Sequence, residues 1–177
     1  QRIIKDILFP DMYVTVRQLL LLKRVFGRGK LIVEIGSFYG ETTRRLAKHN
    51  RVIAIDPMLG IYDDRDKCSK TIDHRRKAVI SKLKKNISKV NALWLQEKSE
   101  DLIKRWNTPI DCLFIDGEHT LRGVKRDSEW IKFVKKGGFF AFHDVDYMFP
   151  EIKQFVEDKI VPNYEFIAKR GSLWIFR

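Results

Sequence analysis

The sequence predicts an α/β fold: a Rossmann-like, doubly wound, mostly parallel sheet with a C-terminal antiparallel hairpin, in three α/β/α layers. Three observations predict it. Apolar runs of strand length alternate with stretches of helical period along most of the 177 residues. Four of those runs end on polar residues: Gly36 after an internal Glu34, Asp56, Asp116, and His143-Asp144. The last two runs are joined by the tight turn Arg170-Gly171-Ser172, which forces them antiparallel.

The elements follow in order. Residues 11–26 predict a helix with an apolar stripe through Val16, Leu19, Leu20 and Phe26, ended by Gly27 and Gly29. A strand at 31–35, a helix at 41–49 and a strand at 51–55 come next. Residues 57–74 are charged and without period, and predict a lid or substrate loop. A basic helix is expected over 75–89, with Ala78, Val79, Leu83 and Ile87 facing inward. A strand at 90–95 and a short helix at 99–107 precede the apolar strand 110–115. The helical spacing of Val124, Ile131 and Val134 predicts a helix over 120–135, stopped by Gly137-Gly138. A strand at 139–142, a helix at 149–160 and strands near 164–168 and 172–176 complete the chain. No repeat or low-complexity tract divides it, so residues 1–177 read as one domain with an N-terminal helical segment, 1–29.

Composition excludes some classes. Hydrophobic residues make up 44% and charged residues 33%, which suits a globular chain, and no apolar run approaches the ~20 residues of a membrane span. The two cysteines, Cys68 and Cys112, lie far apart without metal-ligand spacing and read as reduced thiols. With no signal-peptide pattern at the start, a cytoplasmic protein is expected. The net charge of +12 raises nucleic acid as a partner. The basic residues are scattered along helix faces, however, so a solvated surface is favoured over a specific nucleic-acid site.

The chemistry concentrates in residues 31–56, LIVEIGSFYGETTRRLAKHNRVIAID. Strand, glycine turn, helix, strand and acid form a unit in which backbone N–H groups and a helix start meet a ligand. An acid waits on the next strand for ribose hydroxyls. That unit suggests a nucleoside-containing cofactor. Gly36 and Gly40 suit a tight turn and close approach. Glu34 interrupts an apolar strand, where a buried acid needs a partner. Asp56 lies 20 residues past Gly36 (56 − 36), the separation of a ribose-binding acid. A single Asp after a strand is often only a cap; four strand ends carrying polar groups are harder to explain that way.

The sequence Glu34-Ile35-Gly36-Ser37-Phe38-Tyr39-Gly40-Glu41-Thr42, with Phe114-Ile115-Asp116-Gly117-Glu118-His119 further on, resembles class I S-adenosylmethionine-dependent methyltransferases. It looks most like a small branch with E-I-G-S-x-x-G and F-I-D-G-x-H signatures. The resemblance runs from about residue 30 to 145, and the terminal hairpin fits it. It implies that Gly36, Ser37 and Gly40 lie against the methionine part of S-adenosyl-L-methionine, with Glu34 beneath. Asp56 would hold the ribose. Glu97, Lys98 and Ser99 would border adenine, and Asp116 would face the methionine end and the acceptor. Phe38 stands where the common G-x-G-x-G pattern has its middle glycine.

Asp116, His119, His143 and Asp144 form the most chemical cluster. A hydroxyl acceptor must lose its proton as the methyl group moves, and histidine suits that near neutral pH. His143, or else His119, is therefore the expected base or acceptor-positioning group, with Asp144 and Asp116 orienting it. The competing expectation is a divalent cation, Mg²⁺ or Mn²⁺, held by Asp116, His143 and Asp144. Related catechol-type enzymes place metal ligands at these two strand ends, usually all oxygen. The predicted activity is O-methylation of a small molecule or sugar. The alternatives are an RNA- or nucleic-acid-modifying methyltransferase and an NAD-dependent Rossmann oxidoreductase; the lack of G-x-G-x-x-G weighs against the latter. Neither the acceptor nor the oligomeric state is written in the sequence.

Overall fold

In the computed structural model, residues 14–59, 69–146 and 148–177 are described. Seven strands form one sheet: β1 (Leu31–Ile35), β2 (Arg51–Ile55), β3 (Ala92–Leu95), β4 (Ile110–Ile115), β5 (Val134–Phe142), β6 (Phe166–Arg170) and β7 (Leu173–Phe176). Their order is β3-β2-β1-β4-β5-β7-β6. The first five run parallel, and β7 pairs antiparallel with both β5 and β6. The expected fold and its closing hairpin are both present.

Alternation along β1 shows how the layers form. Val33 and Ile35 enter one apolar cluster with Leu102, Val124, Trp130, Ile152 and Val156, while Ile32 enters another with Leu19, Leu22, Phe26 and Leu46. The second face is covered by α1 (Val16–Phe26) and α2 (Glu41–Leu46). The first is covered by α4 (Ser99–Leu102), α5 (Leu121–Ser128) and α6 (Pro150–Phe155). A third cluster joins Val79 and Leu83 of α3 (Ser69–Ile87) to Met58, Phe38 and Tyr39.

Helix α1 starts with a capping box. Thr15 Oγ1 accepts from Gln18 N, and Gln18 Oε1 accepts from Thr15 N, which satisfies two N–H groups that the helix leaves open. The predicted residues 11–13 of this helix lie outside the described residues.

Several boundaries differ from expectation. Half of the predicted lid, residues 60–68, lies outside the described residues, and α3 begins at Ser69 instead of 75. The predicted helix 120–135 is helical only to Ser128, then runs as 3₁₀ turns over Glu129–Phe133. Strand β5 already begins at Val134, which pairs with Ile110, while Phe139 pairs with Cys112. The extra β5 residues bulge out at Gly137-Gly138, where Gly137 has φ 77° and a side chain on Gly138 would strike the Asp111 carbonyl. The glycine pair thus shapes a bulge and does not stop a helix. Lys135 accordingly sits on a strand, not on the helix expected over 120–135, and pairs with Asp111 at 2.9 Å. The predicted helix 99–107 closes into 3₁₀ form after Leu102, and 149–160 ends in a π-helical stretch, Val156–Ile160.

Register fixes the functional edge. Ile35 is level with Ile55 and Ile115, and Ile115 with Phe142. The next residue of each strand is pinned by one more backbone bond: Gly36 N to Ile55 O at 2.9 Å, Asp116 N to Ile35 O at 2.8 Å and His143 N to Ile115 O at 2.9 Å. Gly36, Asp56, Asp116 and His143 therefore stand at one edge of the sheet, the carboxyl edge where such sheets bind ligands.

Candidate active site

A cavity of about 630 Å³ opens at that edge. Of the residues singled out from the sequence, Glu34, Gly36, Ser37, Asp56, Lys98, Ser99, Asp116 and His119 line it. Gly40, Glu97, His143 and Asp144 are not on its wall.

The first loop is held by one carboxylate. Asp56 Oδ2 accepts from the N–H groups of Ser37 at 2.9 Å and Phe38 at 3.0 Å, and Oδ1 accepts from Met58 N at 2.8 Å. Each oxygen keeps lone-pair capacity for a hydroxyl ligand. Phe38 has φ 42°, a left-handed conformation that costs a bulky residue strain. This is the physical reason a glycine is common there. The Phe38 ring packs 3.9 Å from that of Tyr39 and against the cluster around Met58, which offsets the strain.

The two signature glycines serve the backbone. Gly36 has φ 87°, and a Cβ on it would overlap the Asp116 carbonyl oxygen. Gly40, at φ 73°, starts α2, and a Cβ there would fall 2.5 Å from Leu83 Cδ1. Its glycine is demanded by packing on α3, so the expected ligand approach at Gly40 has no support in the geometry. Glu97 is likewise turned away, into an ion pair with Arg105.

Glu34 is fully buried. The Thr43 hydroxyl donates to its Oε2 at 2.5 Å, and Oε1 has no partner among the described residues. Burial pushes its carboxyl up to about 8, against the Thr43 bond, and the Asp116 and Asp56 charges add to the rise.

The expected catalytic cluster is assembled. His143 Nδ1 lies 3.1 Å from both Asp116 Oδ1 and Asp144 Oδ1. His119 Nε2 lies 3.0 Å from Asp144 Oδ2 and 3.9 Å from Asp116 Oδ1. Burial disfavours charge on His143, but the two carboxylates outweigh it and raise the imidazole to about 10. His119 is also raised, chiefly by its bond to Asp144, against partial burial. Asp144 is held below the usual carboxylate range by bonds to both imidazoles, despite its burial, whereas burial pushes Asp116 up. Asp144 has φ 60°, a second non-glycine residue strained at this edge. The nearest ligand atoms of Asp116, His143 and Asp144 fall within 4.8 Å of one another, close enough to share a cation.

Two lining residues, Asp127 and Arg126, were not singled out from the sequence. Asp127 is buried and accepts from Ser99 Oγ at 2.5 Å. Arg126 reaches Glu100 at 2.9 Å, Glu118 at 3.2 Å and Asp127 at 3.6 Å. The available signal was an acid three residues after Val124, in phase with the inner face of α5.

The cavity wall carries more acids than bases: Glu34, Glu41, Asp56, Asp116, Glu118 and Asp127 face Lys98 and Arg126. That donor set fits a cationic ligand. Residues 33–145 match the family described as a methyltransferase domain. The chain belongs to that family. It is an enzyme, a methyltransferase, and the matched segment spans β1 to the residues just past β5.

Solved structures share the methyltransferase fold. An N-methyltransferase, NodS, from Bradyrhizobium japonicum, solved in complex with S-adenosyl-L-homocysteine, is 15% identical. It aligns over 96% of this chain and 89% of its own with a TM-score of 0.63. A TDP-rhamnose 3'-O-methyltransferase of calicheamicin biosynthesis is 16% identical over 98% of this chain and 85% of its own, TM-score 0.61. An rRNA methylase from Streptococcus thermophilus is 14% identical over 90% and 92%, TM-score 0.61. Acceptors of three kinds thus sit on this one architecture. Among the described residues, no helix is long and apolar enough to cross a membrane.

Proposed function

We propose that this methyltransferase uses S-adenosyl-L-methionine to methylate an oxygen of a small-molecule or sugar acceptor. The observation that carries the reading is the pairing on one cavity of a buried carboxylate, Glu34, with one oxygen unpartnered among the described residues, and an imidazole, His119, backed by Asp144. Glu34 Oε1 offers the cofactor's ammonium group a partner. Asp56 offers two carboxylate oxygens to the ribose, while Ser99 and Asp127 border the base. The sulfonium of the bound cofactor supplies an activated methyl carbon, and the acceptor needs alignment and a place for its proton.

His119 is the better placed base. It stands on the cavity wall with its side chain about half exposed, and Asp144 fixes one ring nitrogen. His143, which the sequence favoured, is 9% exposed and surrounded by its partners. Its role in this reading is to neutralise and orient Asp116 and Asp144.

A second reading rests on the close approach of Asp116, His143 and Asp144. These residues would hold a Mn²⁺ or Mg²⁺ ion, whose chemistry is to lower the acceptor's pKa. The imidazole weighs against Mg²⁺, which prefers oxygen ligands. Among the described residues the basic side chains are spread over several elements: Lys23 and Arg24 lie on α1, Lys84 and Lys85 on α3, Lys135 and Lys136 on β5. RNA therefore remains the less favoured acceptor.

The test is calorimetry with S-adenosyl-L-homocysteine and NAD, followed by an acceptor screen with and without chelator. Binding of S-adenosyl-L-homocysteine but not NAD, with turnover on a hydroxyl acceptor in chelator, is expected. NAD binding without heat from S-adenosyl-L-homocysteine would defeat the reading.

A further inference from the structure

His143 is held from two sides. On one side its Nδ1 faces Asp116 and Asp144. On the other, its Nε2 lies 3.4 Å from Ser172 Oγ, in the turn between β6 and β7. Ser172 Oγ accepts in turn from Gln18 Nε2 at 3.0 Å, across 154 residues of sequence. Gln18 is 5% exposed, an unusual place for an amide.

The orientation of that amide is fixed. Gln18 Oε1 accepts from Thr15 N at 2.9 Å and from Thr15 Oγ1 at 2.8 Å. Only the NH₂ end is left for Ser172, so Ser172 Oγ has one lone pair taken and its remaining capacity directed at the ring. A backbone bond from Val145 N to Ser172 O, 2.9 Å, ties the same turn to the strand end that carries His143 and Asp144. The segment just before α1 also reaches the cavity, since Val14 is buried and lines it. Both Gln18 and Ser172 fall outside the matched segment 33–145, so they are features of this chain beyond the family core.

We propose that Gln18, acting through Ser172, is a positioning residue for His143, which makes the N-terminal helix and the C-terminal hairpin working parts of the acceptor side of the site. The inference rests on the proposed role of the Asp116–His143–Asp144 cluster beside the acceptor. Its physical content is that a buried ring held at one edge can rock, whereas a ring flanked by polar partners at both nitrogens is restrained. The carboxylates it faces then keep their separation.

The experiment is nitrogen NMR of the full chain labelled at its four histidines. The His143 signals are identified by their loss in a His143→Gln variant. Gln18→Glu keeps an oxygen for Thr15, and with it the helix cap, but cannot donate to Ser172. Ser172→Ala removes the relay without a change of charge, and Ser172→Thr restores a hydroxyl. Shifted His143 ring signals in Gln18→Glu and Ser172→Ala, signals near the wild type in Ser172→Thr, and unchanged affinity for S-adenosyl-L-homocysteine are expected. Ring signals unmoved in Ser172→Ala, even with a lowered melting temperature, would make Gln18 a helix cap alone and overturn the proposal. Failure to bind S-adenosyl-L-homocysteine in the wild type would instead strike the cofactor assignment and leave the ring signals to be judged on their own.

Discussion

Thr43 donates its hydroxyl to one oxygen of Glu34 across 2.5 Å, and the other oxygen of this buried carboxylate has no partner among the described residues. A carboxyl raised to about 8 is mostly protonated at neutral pH. If it receives the cofactor's ammonium group, it must ionise. Calorimetry of S-adenosyl-L-homocysteine at pH 7 in buffers of different ionisation enthalpy should therefore show release of up to about one proton per site. Glu34→Gln should abolish the release and weaken binding by at least the ~1.5–3 kcal/mol of a charged hydrogen bond. Binding with no proton release would place the ammonium group elsewhere.

The same shift has a sign for stability. The folded-state value lies above the ordinary one of 4.5. The contribution of Glu34 is thus full below about pH 4.5 and is lost as pH rises through 8. Without ligand, Glu34→Gln should flatten the fall in melting temperature between about pH 4.5 and 8. A parallel fall in both proteins would show that Glu34 is ionised when folded.

Asp56 is a brace as well as a candidate ribose ligand. Asp56→Ala would strand the N–H groups of Ser37, Phe38 and Met58. Each buried orphan costs on the order of 1–3 kcal/mol, so a loss of at least ~2 kcal/mol in denaturant stability should accompany weaker binding of S-adenosyl-L-homocysteine. Weaker binding at unchanged stability would mean that the loop does not depend on this carboxylate.

Gly36→Ala should be severe. The added methyl group meets the Asp116 carbonyl oxygen, and φ 87° is itself strained for alanine. Backbone must give way on both strands, so a loss above ~3 kcal/mol, or failure to fold, is expected in thermal unfolding. A near-normal melting temperature would contradict the close approach of β1 to β4.

His119 carries the catalytic prediction. Its imidazole is raised above 6.5 by the bond to Asp144. A base must be neutral to accept a proton, so kcat/KM with a hydroxyl acceptor should rise with pH on a limb centred above 6.5. His119→Ala should lower turnover by ~10²–10⁴-fold while S-adenosyl-L-homocysteine still binds. Full turnover for His119→Ala in the presence of chelator would leave alignment as the source of the rate.

Sequence by itself determined the order of elements, the sheet and the carboxyl-edge residues. Apolar runs such as Leu31–Ile35 and Ile110–Ile115 report burial directly, and the polar residue that ends a run marks the edge of the sheet. Tertiary structure decided what the local pattern cannot carry. Whether Val134 ends a helix or begins β5 depends on Ile110 beside it. Gly40 is a glycine because Leu83 leaves no room, and Asp127 joins the cavity because α5 turns it toward Ser99. The division between His119 and His143 follows the same rule. Both were visible as residues beyond adjacent strands, but only the fold shows that His119 meets the cavity while His143 lies against Ser172, which Gln18 contacts from near the opposite end of the chain. Contacts across that sequence distance leave no period or motif in either segment, so only the folded chain brings them together.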